Sequence, residues 1–473
     1  MSLLNDLGLQ RPAPPRCTAK GRFQIGGVTV VNPMHGRQAN ATIEISGGAI
    51  AAIASTQGLT PLDFTGCFAL PGLVDMHVHL PPDNALKLTP SAALLYLRHG
   101  VTTVREAGDL DGTAVSALRK LEHEGAHPVP RLFSCGPFVG AGKAGFKNTI
   151  LLEDASADAA EAAALRVKGT GATFLKFYEG LTEPMIRSLE QACARHGLKM
   201  MGHVPSGISY ENARIAEVQH FFGVPPFSTL ERDTLVNRSC DWHDVDERRM
   251  DDIVEATLKH GIGNTPTIVT NQQMLLYRNF NAARRHPTMR HVPPFYLDVV
   301  WHPDHGRLNN RLPKEYLERQ VVPAIAKKQR LTRKLFDAGA SLFLGTDVAQ
   351  AFVVPGVSLQ QEMALFAEAG ISVEQVWELA TRAAGARLGI TGLGRLETGA
   401  PADILLFRRD PTQSLDHLAS LEAVIVAGRL YRSADLARAQ QSSTAYFNSP
   451  LIKPLARRGA KQALVRAFGA ARK

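Results

Sequence analysis

The chain of 473 residues is longer than one ordinary domain and is long enough for a large domain with a smaller partner. Hydrophobic residues make up 45% and charged residues 21%, which is typical of globular proteins and excludes a chain that is disordered throughout. Seven of the excess positive charges behind the net charge of +9 lie between Lys453 and Lys473, so the charge gives little support to a nucleic-acid partner.

Cysteine usage and the N-terminal segment bear on the compartment. The five cysteines are scattered and form no CxxC pair, which is typical of reduced thiols in a cytoplasmic protein. Residues 1–16 lack a basic region followed by an apolar run, and no stretch of about 18 apolar residues occurs. We therefore expect a cytoplasmic protein with no signal peptide and no membrane span.

The first predicted elements are short strands in residues 17–66. This region contains FQIGGVTVVNP and ATIEISGGAIAAIAS, which are typical of hairpin strands joined by glycine turns. Residues 394–432 contain further short strands, in ADILLFRRDP and LEAVIVAGRLYRS. The simplest interpretation is one small β-sandwich domain formed from both chain ends.

Residues 67–393 contain eight short apolar runs that mostly alternate with helical stretches. Several helical stretches, such as EPMIRSLEQACARHG, close on glycine, as helices commonly do. This alternation predicts an α/β fold with parallel strands, and eight runs indicate a closed (β/α)8 barrel of the TIM type. The runs are 68–78, 101–108, 131–139, 173–180, 198–205, 217–223, 263–269 and 342–349.

Two segments do not fit this alternation. Residues 270–319, before the eighth run, form an insertion with many aromatic residues and histidines. An insertion of this length on a barrel is usually functional, and we expect either a cap over a site or part of an oligomer interface. Residues 433–473 form a basic tail, which we interpret as a solvated segment, with a docking helix or an anion contact as the alternatives.

The first candidate site residues are His77 and His79. Residues two apart on a strand point to the same side, so both imidazoles can face one point, as a metal site requires. A His-x-His pair alone is a weak signal and also occurs as two unrelated histidines. Asp75 shares their face and is either an orienting carboxylate or an ordinary residue of the strand.

Lys176 and Tyr178 share one face of the apolar run TFLKFYEG. Burial would lower the pKa of Lys176 and make its amine nucleophilic, so that it can take up carbon dioxide as a carbamate. A lysine that reaches solvent or pairs with an acid is the alternative. Tyr178 would hydrogen-bond a substrate or simply fill the top of the barrel.

His203, His220 and Asp347 each end a further apolar run. A lone histidine at such a place is more often a hydrogen-bonded residue of the core. A lone aspartate such as Asp347 could simply cap the following helix. Active sites of barrels, however, lie at the C-terminal ends of the strands. In this sequence several predicted strand ends each carry a side chain that can bind a metal. The conjunction favours a common metal site over chance placement.

At this point the sequence resembles the amidohydrolase superfamily, in the branch with imidazolonepropionase-like and prolidase-like enzymes. The resemblance extends over about residues 20–430. The motifs are specific for the superfamily but not for a substrate. They are LPGLVDMHVHL, LRHGVTTVREAGD, SCGPFVGAGK, FLKFYEG, GHVPSG, FLGTDVA and GRLETGAPADILLFRRDP.

The resemblance implies a site with two divalent metal ions, with zinc as the expected ion. His77, His79 and Asp347 would hold one ion, and His203 and His220 the other. Lys176, carboxylated by carbon dioxide, would bridge them together with a hydroxide. Asp347 would act as general base and then as general acid, and Tyr178 would steady the oxyanion or a substrate carboxylate.

One departure from the superfamily concerns the residues after His203. Mononuclear deaminases of the superfamily carry a glutamate a few residues after this histidine, whereas this chain continues Val-Pro-Ser-Gly. This argues against base deamination and favours two metal ions. The loop 140–148 is rich in glycine and basic, so it is either an approach for an anionic substrate or a mobile loop without a ligand.

The predicted activity is hydrolysis of a C–N bond in an amide, urea or carbamate of a small, partly aromatic or apolar substrate. The alternatives are a prolidase-like dipeptidase, an N-acyl amino acid hydrolase and a cyclic amide hydrolase. A dipeptidase needs a cation for the substrate carboxylate, which Lys143, Arg105 or the arginines of the insertion could supply. The non-enzymatic alternative is a metal-free barrel that acts as a binding or assembly protein.

The partner expected for this activity is a small-molecule substrate. No nucleic-acid partner and no membrane partner are expected. Homo-oligomers are common in the family, so the resemblance also implies a homo-oligomer.

Overall fold

The computed structural model describes residues 12–54, 59–83, 86–213, 215–230, 232, 234–304, 306, 312–348 and 350–468, with backbone alone for 466–468. The strands are β1 (Phe23–Asn32), β2 (Gly36–Ser46), β3 (Ala49–Ala52), β4 (Leu62–Asp63), β5 (Phe68–Pro71), β6 (Leu73–Val78), β7 (Val101–Glu106), β8 (Arg131–Ser134), β9 (Phe138–Ala141), β10 (Thr149–Leu152), β11 (Phe174–Phe177), β12 (Lys199–Gly202), β13 (Glu217–Gln219), β14 (Gly263–Thr265), β15 (Ile404–Phe407), β16 (Leu421–Val426) and β17 (Arg429–Arg432).

The helices follow the strands in the manner predicted for an α/β chain. They are α1 (Thr89–Arg98), α2 (Ala114–Glu124), α3 (Ala157–Gly169), α4 (Glu183–His196), α5 (Leu235–Cys240), α6 (Glu247–His260), α7 (Ile268–Met274), α8 (Phe280–Ala283), α9 (Lys314–Tyr316), α10 (Val322–Asp337), α11 (Val357–Glu368), α12 (Val373–Glu378), α13 (Ala384–Leu388), α14 (Ser433–Asn448) and α15 (Ile452–Phe468).

The two chain ends meet in one eight-stranded sheet. Its order is β17-β16-β15-β5-β1-β2-β3, and β4 pairs with β1. The antiparallel pairing of β5 with β15, with Leu70 opposite Leu405, joins the N-terminal strands to the C-terminal ones. Ile25, Ile43 and Ile404 are fully buried in its core. Both ends therefore build one unit, while its predicted sandwich form stays a prediction.

The central strands are all parallel and form two sheets. One has the order β6-β7-β8, and the other the order β10-β9-β11-β12-β13-β14. The run predicted at 131–139 is divided into β8 and β9, which are separated by Cys135, Gly136 and Pro137. Residues 149–152, which the sequence did not single out, add β10 beside β9.

Main-chain hydrogen bonds connect the edges of these two sheets. The eighth strand was predicted at 342–349, of which 349 lies outside the described residues; segment 342–348 makes isolated bridges to β6 and β14. Met76 N donates to Leu344 O at 2.9 Å, and Phe343 N donates to Asn264 O at 2.9 Å. At the β8 edge of the three-stranded sheet, Thr173 N donates to Ser134 O at 3.2 Å, which joins β8 to the start of β11 within the larger sheet.

The helices that cross between the parallel strands end as their sequences predict. α4 and α6 stop at Gly197 and Gly261, whose φ angles of 65° and 61° are left-handed and suit glycine. Because the strands between these crossovers are parallel, their carboxyl ends all lie at the same edge. That edge carries the candidate site.

The tail departs from the predicted solvated segment. Residues 433–468 form α14 and α15, and Phe447, Ala456 and Ala460 are buried. Ser443 Oγ lies 2.6 Å from Ser91 Oγ of α1, and Arg457 Nε donates to Asp298 of the insertion at 2.9 Å. The docking-helix alternative is therefore what these residues adopt, because their small and apolar side chains cover α1 and the insertion.

The remaining sequence-wide predictions concern membranes and cysteines. Within the part of the chain that the structure describes, no helix combines the length and apolar character needed to span a membrane. The five cysteines, all of them described, are free, and four are buried.

Candidate metal centre

His77, His79 and Asp347 meet at the carboxyl ends of β6 and of segment 342–348. Nε2 of His77 lies 3.5 Å and Nε2 of His79 lies 3.4 Å from the same oxygen, Oδ1 of Asp347. One potential ligand atom from each of the three residues lies within 4.8 Å of the other two. The three side chains therefore face one point, as the sequence predicted.

The backbone around Asp347 is strained and is held by Asp75. Asp347 has a φ of 56°, a left-handed conformation that is costly for a residue with a side chain. Asp75 accepts hydrogen bonds from Thr346 Oγ1 at 2.7 Å, Thr346 N at 3.1 Å and His77 N at 3.2 Å. Burial raises the pKa of Asp75 to about 7 against these bonds. Asp75 thus holds the main chain on both sides of the site, and its hydrogen bonds go to the main chain and to Thr346 rather than to an imidazole.

The Nδ1 atoms of His77 and His79 are both occupied. His77 Nδ1 lies 2.5 Å from Oε1 of Gln219, whose amide nitrogen donates to Glu217 at 2.8 Å and so directs that oxygen toward the ring. His79 Nδ1 donates to the carbonyl oxygen of Gly108 at 3.0 Å. Since each Nδ1 carries the hydrogen, each Nε2 keeps its lone pair for a ligand bond.

His203 and His220 repeat this arrangement on β12 and β13. His203 Nδ1 lies 3.0 Å from Oε1 of Glu179, and His220 Nδ1 lies 2.7 Å from Oγ1 of Thr267. Their ring centroids are 5.1 Å apart, and the His220 ring lies 4.6 Å from that of His77. All four imidazoles therefore form one cluster.

Lys176 lies on β11 with its side chain wholly buried. Its Nζ has no hydrogen-bond partner among the described residues. The alternative in which this lysine reaches solvent is therefore wrong. Burial lowers the pKa of Lys176 to about 8, although the charge of Asp347 opposes the change. An amine with this pKa is partly neutral near pH 7, as carbamate formation requires.

The electrostatics of the cluster suit metal ligation. Burial holds the pKa of His77, His203 and His220 well below the ordinary value, and the charge of Lys176 adds to this. The imidazoles are therefore neutral at pH 7, the form that binds a divalent ion. His77 Nε2 and Lys176 Nζ are buried without a hydrogen-bond partner. These residues fit the metal ions that the resemblance implies.

Tyr178 forms part of an aromatic wall over His203. Its ring centroid lies 4.9 Å from that of His203, 5.0 Å from that of Phe138 and 5.4 Å from that of Phe146. Phe146 belongs to the glycine-rich loop 140–148, and a Cβ at Gly145 would lie 2.8 Å from the Tyr178 ring. The loop therefore packs closely against the tyrosine, which glycine permits.

An apolar cavity of about 30 Å³ lies beside His79, which is one of its lining residues. Tyr296 and Trp301 of the insertion line it together with Leu95 of α1 and Val348. The aromatic residues of the insertion thus reach the candidate site. This is the position expected of a cap, while its role in an oligomer interface stays untested.

A family model agrees with this geometry. The model of the amidohydrolase family matches residues 68–431, which is most of the chain. The chain belongs to the amidohydrolase family. It is accordingly a hydrolytic enzyme. No curated protein matches this amidohydrolase at a significant level.

Solved structures share the fold of this amidohydrolase at low identity. Bottromycin amidohydrolase has a TM-score of 0.70 and 22% identity, over 94% of this chain and 93% of that one. A Xaa-Pro dipeptidase with bound methionine has a TM-score of 0.62 and 19% identity, over 87% and 100%. The ochratoxinase of A. niger has a TM-score of 0.60 and 15% identity, over 87% and 96%. These identities establish the shared fold alone.

Sequence reasoning missed the residues that hold the imidazoles of this amidohydrolase. Glu179, Gln219 and Thr267 follow or end β11, β13 and β14, and Glu106, 3.3 Å from His79 Nδ1, ends β7. A signal was present, since each is a polar residue in or next to an apolar run. Which polar residue meets which imidazole is tertiary information that spacing does not contain.

The structure also removes one source for a carboxylate-binding cation. Arg105 is wholly buried and donates to both oxygens of Glu217, at 2.9 Å from Nη1 to Oε2 and through Nη2 to Oε1. A second contact to the same glutamate comes from Arg387 Nε at 3.0 Å. Arg105 therefore stabilises the interior and is not available to a substrate.

Proposed function

We propose that this amidohydrolase cleaves the C–N bond of an amide, urea or carbamate in a small, partly aromatic or apolar substrate. The observation that carries the proposal is the convergence of His77, His79 and Asp347 on one point beside an aromatic cavity. His203, His220 and Lys176 complete the cluster. A binding protein would not require four neutral imidazoles with their Nδ1 atoms already engaged.

The same residues would hold two divalent metal ions, with zinc as the expected one. His77, His79 and Asp347 would hold one ion, His203 and His220 the other, and carboxylated Lys176 both. When bound, such ions polarise a carbonyl group and lower the pKa of water. Gln219 contacts Nδ1 of His77 and Glu179 contacts Nδ1 of His203, and these contacts would fix the orientation of the two imidazoles.

Asp347 is the residue placed to move a proton. Burial raises its pKa, while the charges of His79 and Lys176 oppose the change. A carboxylate in this environment accepts a proton from the attacking water and returns it to the departing amine nitrogen. Asp347 is thus the proposed general base and general acid, and its strained backbone keeps Oδ1 toward the two histidines.

The aromatic groups around the site support the proposed substrate class. Tyr296 and Trp301 line the cavity beside His79, and the ring of Tyr178 contacts that of His203. Apolar surfaces of this kind bind the non-reacting part of a substrate and exclude water. Tyr178 is also the proposed contact for the substrate carbonyl or carboxylate.

We further propose that the parallel strands close into a (β/α)8 barrel. The hydrogen bonds that connect β6, segment 342–348 and β14 support this, as does the bond from Thr173 to Ser134. The barrel would occupy residues 67–393. The eight-stranded sheet, 17–66 and 394–432, would form the β-sandwich beside it. We also propose that the enzyme is cytoplasmic and forms a homo-oligomer.

A prolidase-like dipeptidase is a second candidate, supported by the fold shared with the Xaa-Pro dipeptidase. Arg238 lies near His203, but it donates to Glu179 and to the Val204 carbonyl oxygen. Lys143 on loop 140–148 is exposed. A dipeptidase would thus depend on a cation such as Lys143.

The experiment is amine release by metal-loaded protein from aryl amides, aryl ureas, carbamates and Xaa-Pro or N-acyl dipeptides. Asp347→Asn removes the proposed base, and Asp158→Asn changes an exposed aspartate of α3 as the matched control. We expect turnover of aryl substrates by wild type and control, but not by Asp347→Asn. Turnover of the carboxylate-bearing dipeptides alone would replace the proposal by a peptidase. Absence of turnover with every substrate would contradict both.

A further inference from the structure

A polar cleft lies where three segments of the chain meet, and none of the proposed metal ligands lines it. It has a volume of about 450 Å³ and lies between α1, the turn 287–291 of the insertion and α14. It shares no lining residue with the apolar cavity beside His79. Its polar lining consists mainly of Arg98, Arg290, His291, Gln440, Thr444 and Asn448.

The cleft is positively charged without a compensating acid. No carboxylate lines it, and neither Arg98 nor Arg290 forms an ion pair within the described part of the chain. Burial lowers the pKa of Arg98, and the like charge of Arg290 adds to this. Burial together with both arginine charges also lowers the pKa of His291 to about 4. Two guanidinium groups thus face one space that lacks their counter-charge.

Arg98 is oriented by a buried amide. Gln440 is only 4% exposed, and its Oε1 accepts from Nη1 of Arg98 at 2.6 Å. Its Nε2 donates to the carbonyl oxygen of His291 at 3.1 Å and to Thr444 Oγ1 at 2.9 Å. The amide therefore has both ends engaged and cannot turn freely. Nε and Nη2 of Arg98 have no hydrogen bond to another described residue and remain for a ligand.

His291 supplies an independent indication of a missing partner. The residue is 8% exposed, and its Nδ1 has no hydrogen-bond partner among the described residues. Arg290 Nε lies 3.5 Å from its Nε2, which makes Nε2 the acceptor and leaves the hydrogen on Nδ1. A buried polar atom without a partner is costly in a folded protein, so His291, one of the residues that line the cleft, carries an unused donor.

We propose that this cleft binds a doubly charged tetrahedral oxyanion, namely inorganic phosphate or the phosphate group of a monoester. Two guanidinium groups match two negative charges, and planar guanidinium forks bind phosphate oxygens in pairs. The amides of Gln441 and Asn448 and the Thr444 hydroxyl supply neutral polar groups around them. The proposed anion site is independent of the proposed hydrolysis.

The bound anion would join three parts of the chain. Arg98 ends α1, Arg290 lies on the insertion, and Gln440 lies on α14. The next residues of the insertion, Val292 and Pro293, line the apolar cavity beside His79. Binding therefore orders one wall of that cavity through the turn that contains Arg290.

The test measures anion binding to the metal-loaded full chain by calorimetry at constant ionic strength. Sulfate serves as a tetrahedral dianion that is a weak metal ligand, and inorganic phosphate and glycerol phosphate distinguish the free ion from a monoester. Acetate tests a single-charge carboxylate, and chloride is the blank. Arg290→Gln removes an exposed arginine of the cleft, and Arg98→Gln removes the oriented one. Arg438→Gln, an exposed arginine of α14 paired with Asp435, is the matched control.

We expect sulfate and phosphate to bind wild type and Arg438→Gln alike, and Arg290→Gln to bind at least about tenfold more weakly, as loss of a charge-assisted pair implies. If glycerol phosphate binds more tightly than inorganic phosphate, the ligand is a phosphate monoester. If inorganic phosphate binds more tightly, the ligand is the free ion. Equal binding by Arg290→Gln and wild type would overturn the site, as would no binding by wild type. Acetate binding as tight as sulfate binding would overturn the dianion assignment. If Arg98→Gln fails to fold, Arg290→Gln carries the test.

Discussion

At the scale of single residues, two buried lysines differ in their hydrogen-bond partners, and only Lys176 belongs to the candidate site. Lys176 and Lys328 are both wholly buried, and burial lowers the pKa of each to about 8. Lys328 donates to Asn271 Oδ1 at 2.8 Å, whereas Lys176 Nζ has no hydrogen-bond partner in the described residues. Carboxylation of Lys176 and the binding of metal ions would give its buried side chain the partners that it lacks.

The pair gives the first prediction. Lys176→Met should reduce bound divalent metal to at most about one ion per chain, because the proposed bridging group is lost. Lys328→Met, the matched control, should keep the metal content of the wild type. Elemental analysis of metal-replete proteins checks both. Equal metal content in Lys176→Met and wild type would contradict the assignment.

Glu179 gives the second prediction. Its carboxylate joins His203 to Arg238, and Glu161 makes the same kind of bridge between His196 and Arg195 away from the site. Glu179→Gln should weaken metal binding about 10–100-fold, as loss of a partner of a ligating histidine commonly does. Glu161→Gln should leave it unchanged. Competition with a chelator measures both affinities, and equal affinities would exclude a role for Glu179.

The same residues show what spacing alone can predict. The positions of His77, His79, Lys176, His203, His220 and Asp347 at strand ends followed from the alternation of runs, and the structure brings them together. Asp75 was interpreted as either an orienting carboxylate or an ordinary residue of the strand. It accepts hydrogen bonds from Thr346 and from the main chain of His77, because the turn before Asp347 needs an acceptor. Partnerships across strands, such as Gln219 with His77, arise only when the chain closes on itself.

At the scale of elements, an interior ion pair joins β7 to β13 and extends to the site. Arg105 binds Glu217, which accepts from Gln219, which in turn contacts His77. Burial alone would raise the pKa of Glu217, but the charge of Arg105 lowers it from 4.5 to about 2. A folded-state pKa below the ordinary value stabilises the protein above pH 4.5, and this contribution is lost as pH falls from 4.5 to 2.

The third prediction follows from that pair. Glu217→Gln should lower the free energy of unfolding at pH 7 by about 3–5 kcal/mol, because it leaves the Arg105 charge buried and unpaired. It should also lose less stability than the wild type between pH 4.5 and 2. Glu255→Gln, an exposed change on α6, should follow the wild type. Denaturant unfolding at several pH values measures this, and parallel curves for Glu217→Gln and wild type would count against the linkage.

The C-terminal helix gives the fourth prediction. α15 buries Ala456 and Ala460 against a cluster that contains Phe295 and Phe447 and contacts Tyr296 and Val300. A chain ending at Ser449 should melt several degrees lower and show a raised KM for aryl substrates, because Tyr296 also lines the cavity beside His79. Arg458→Gln, an exposed change on α15, is the control. An unchanged melting temperature and KM would show that α15 does not support the insertion.

The elements also show the limits of pattern reading. The runs that alternate with helices were placed within a few residues, but the bend at Pro137 and the short β10 were not predicted. The tail was interpreted as solvated because of its charge. Its buried alanines and Phe447 become informative only once α1 and the insertion are beside it.

At the scale of the whole molecule, the strand ends collect side chains that lie far apart in sequence. His77 and Asp347 are separated by most of the chain, yet Asp347 N donates to the His77 carbonyl oxygen at 2.7 Å. The parallel arrangement was predictable from the alternation of runs. Closure of the parallel strands into a barrel is a proposal supported by the isolated bridges of segment 342–348, and the sandwich form of the eight-stranded sheet remains a prediction.

The central proposal is that two bound divalent ions make this amidohydrolase active. The most direct test adds zinc stepwise to metal-free wild-type protein and follows amine release from the best aryl substrate. We expect activity to rise until about two equivalents are bound and then to stay constant. Full activity without added metal, or saturation at one equivalent, would contradict it.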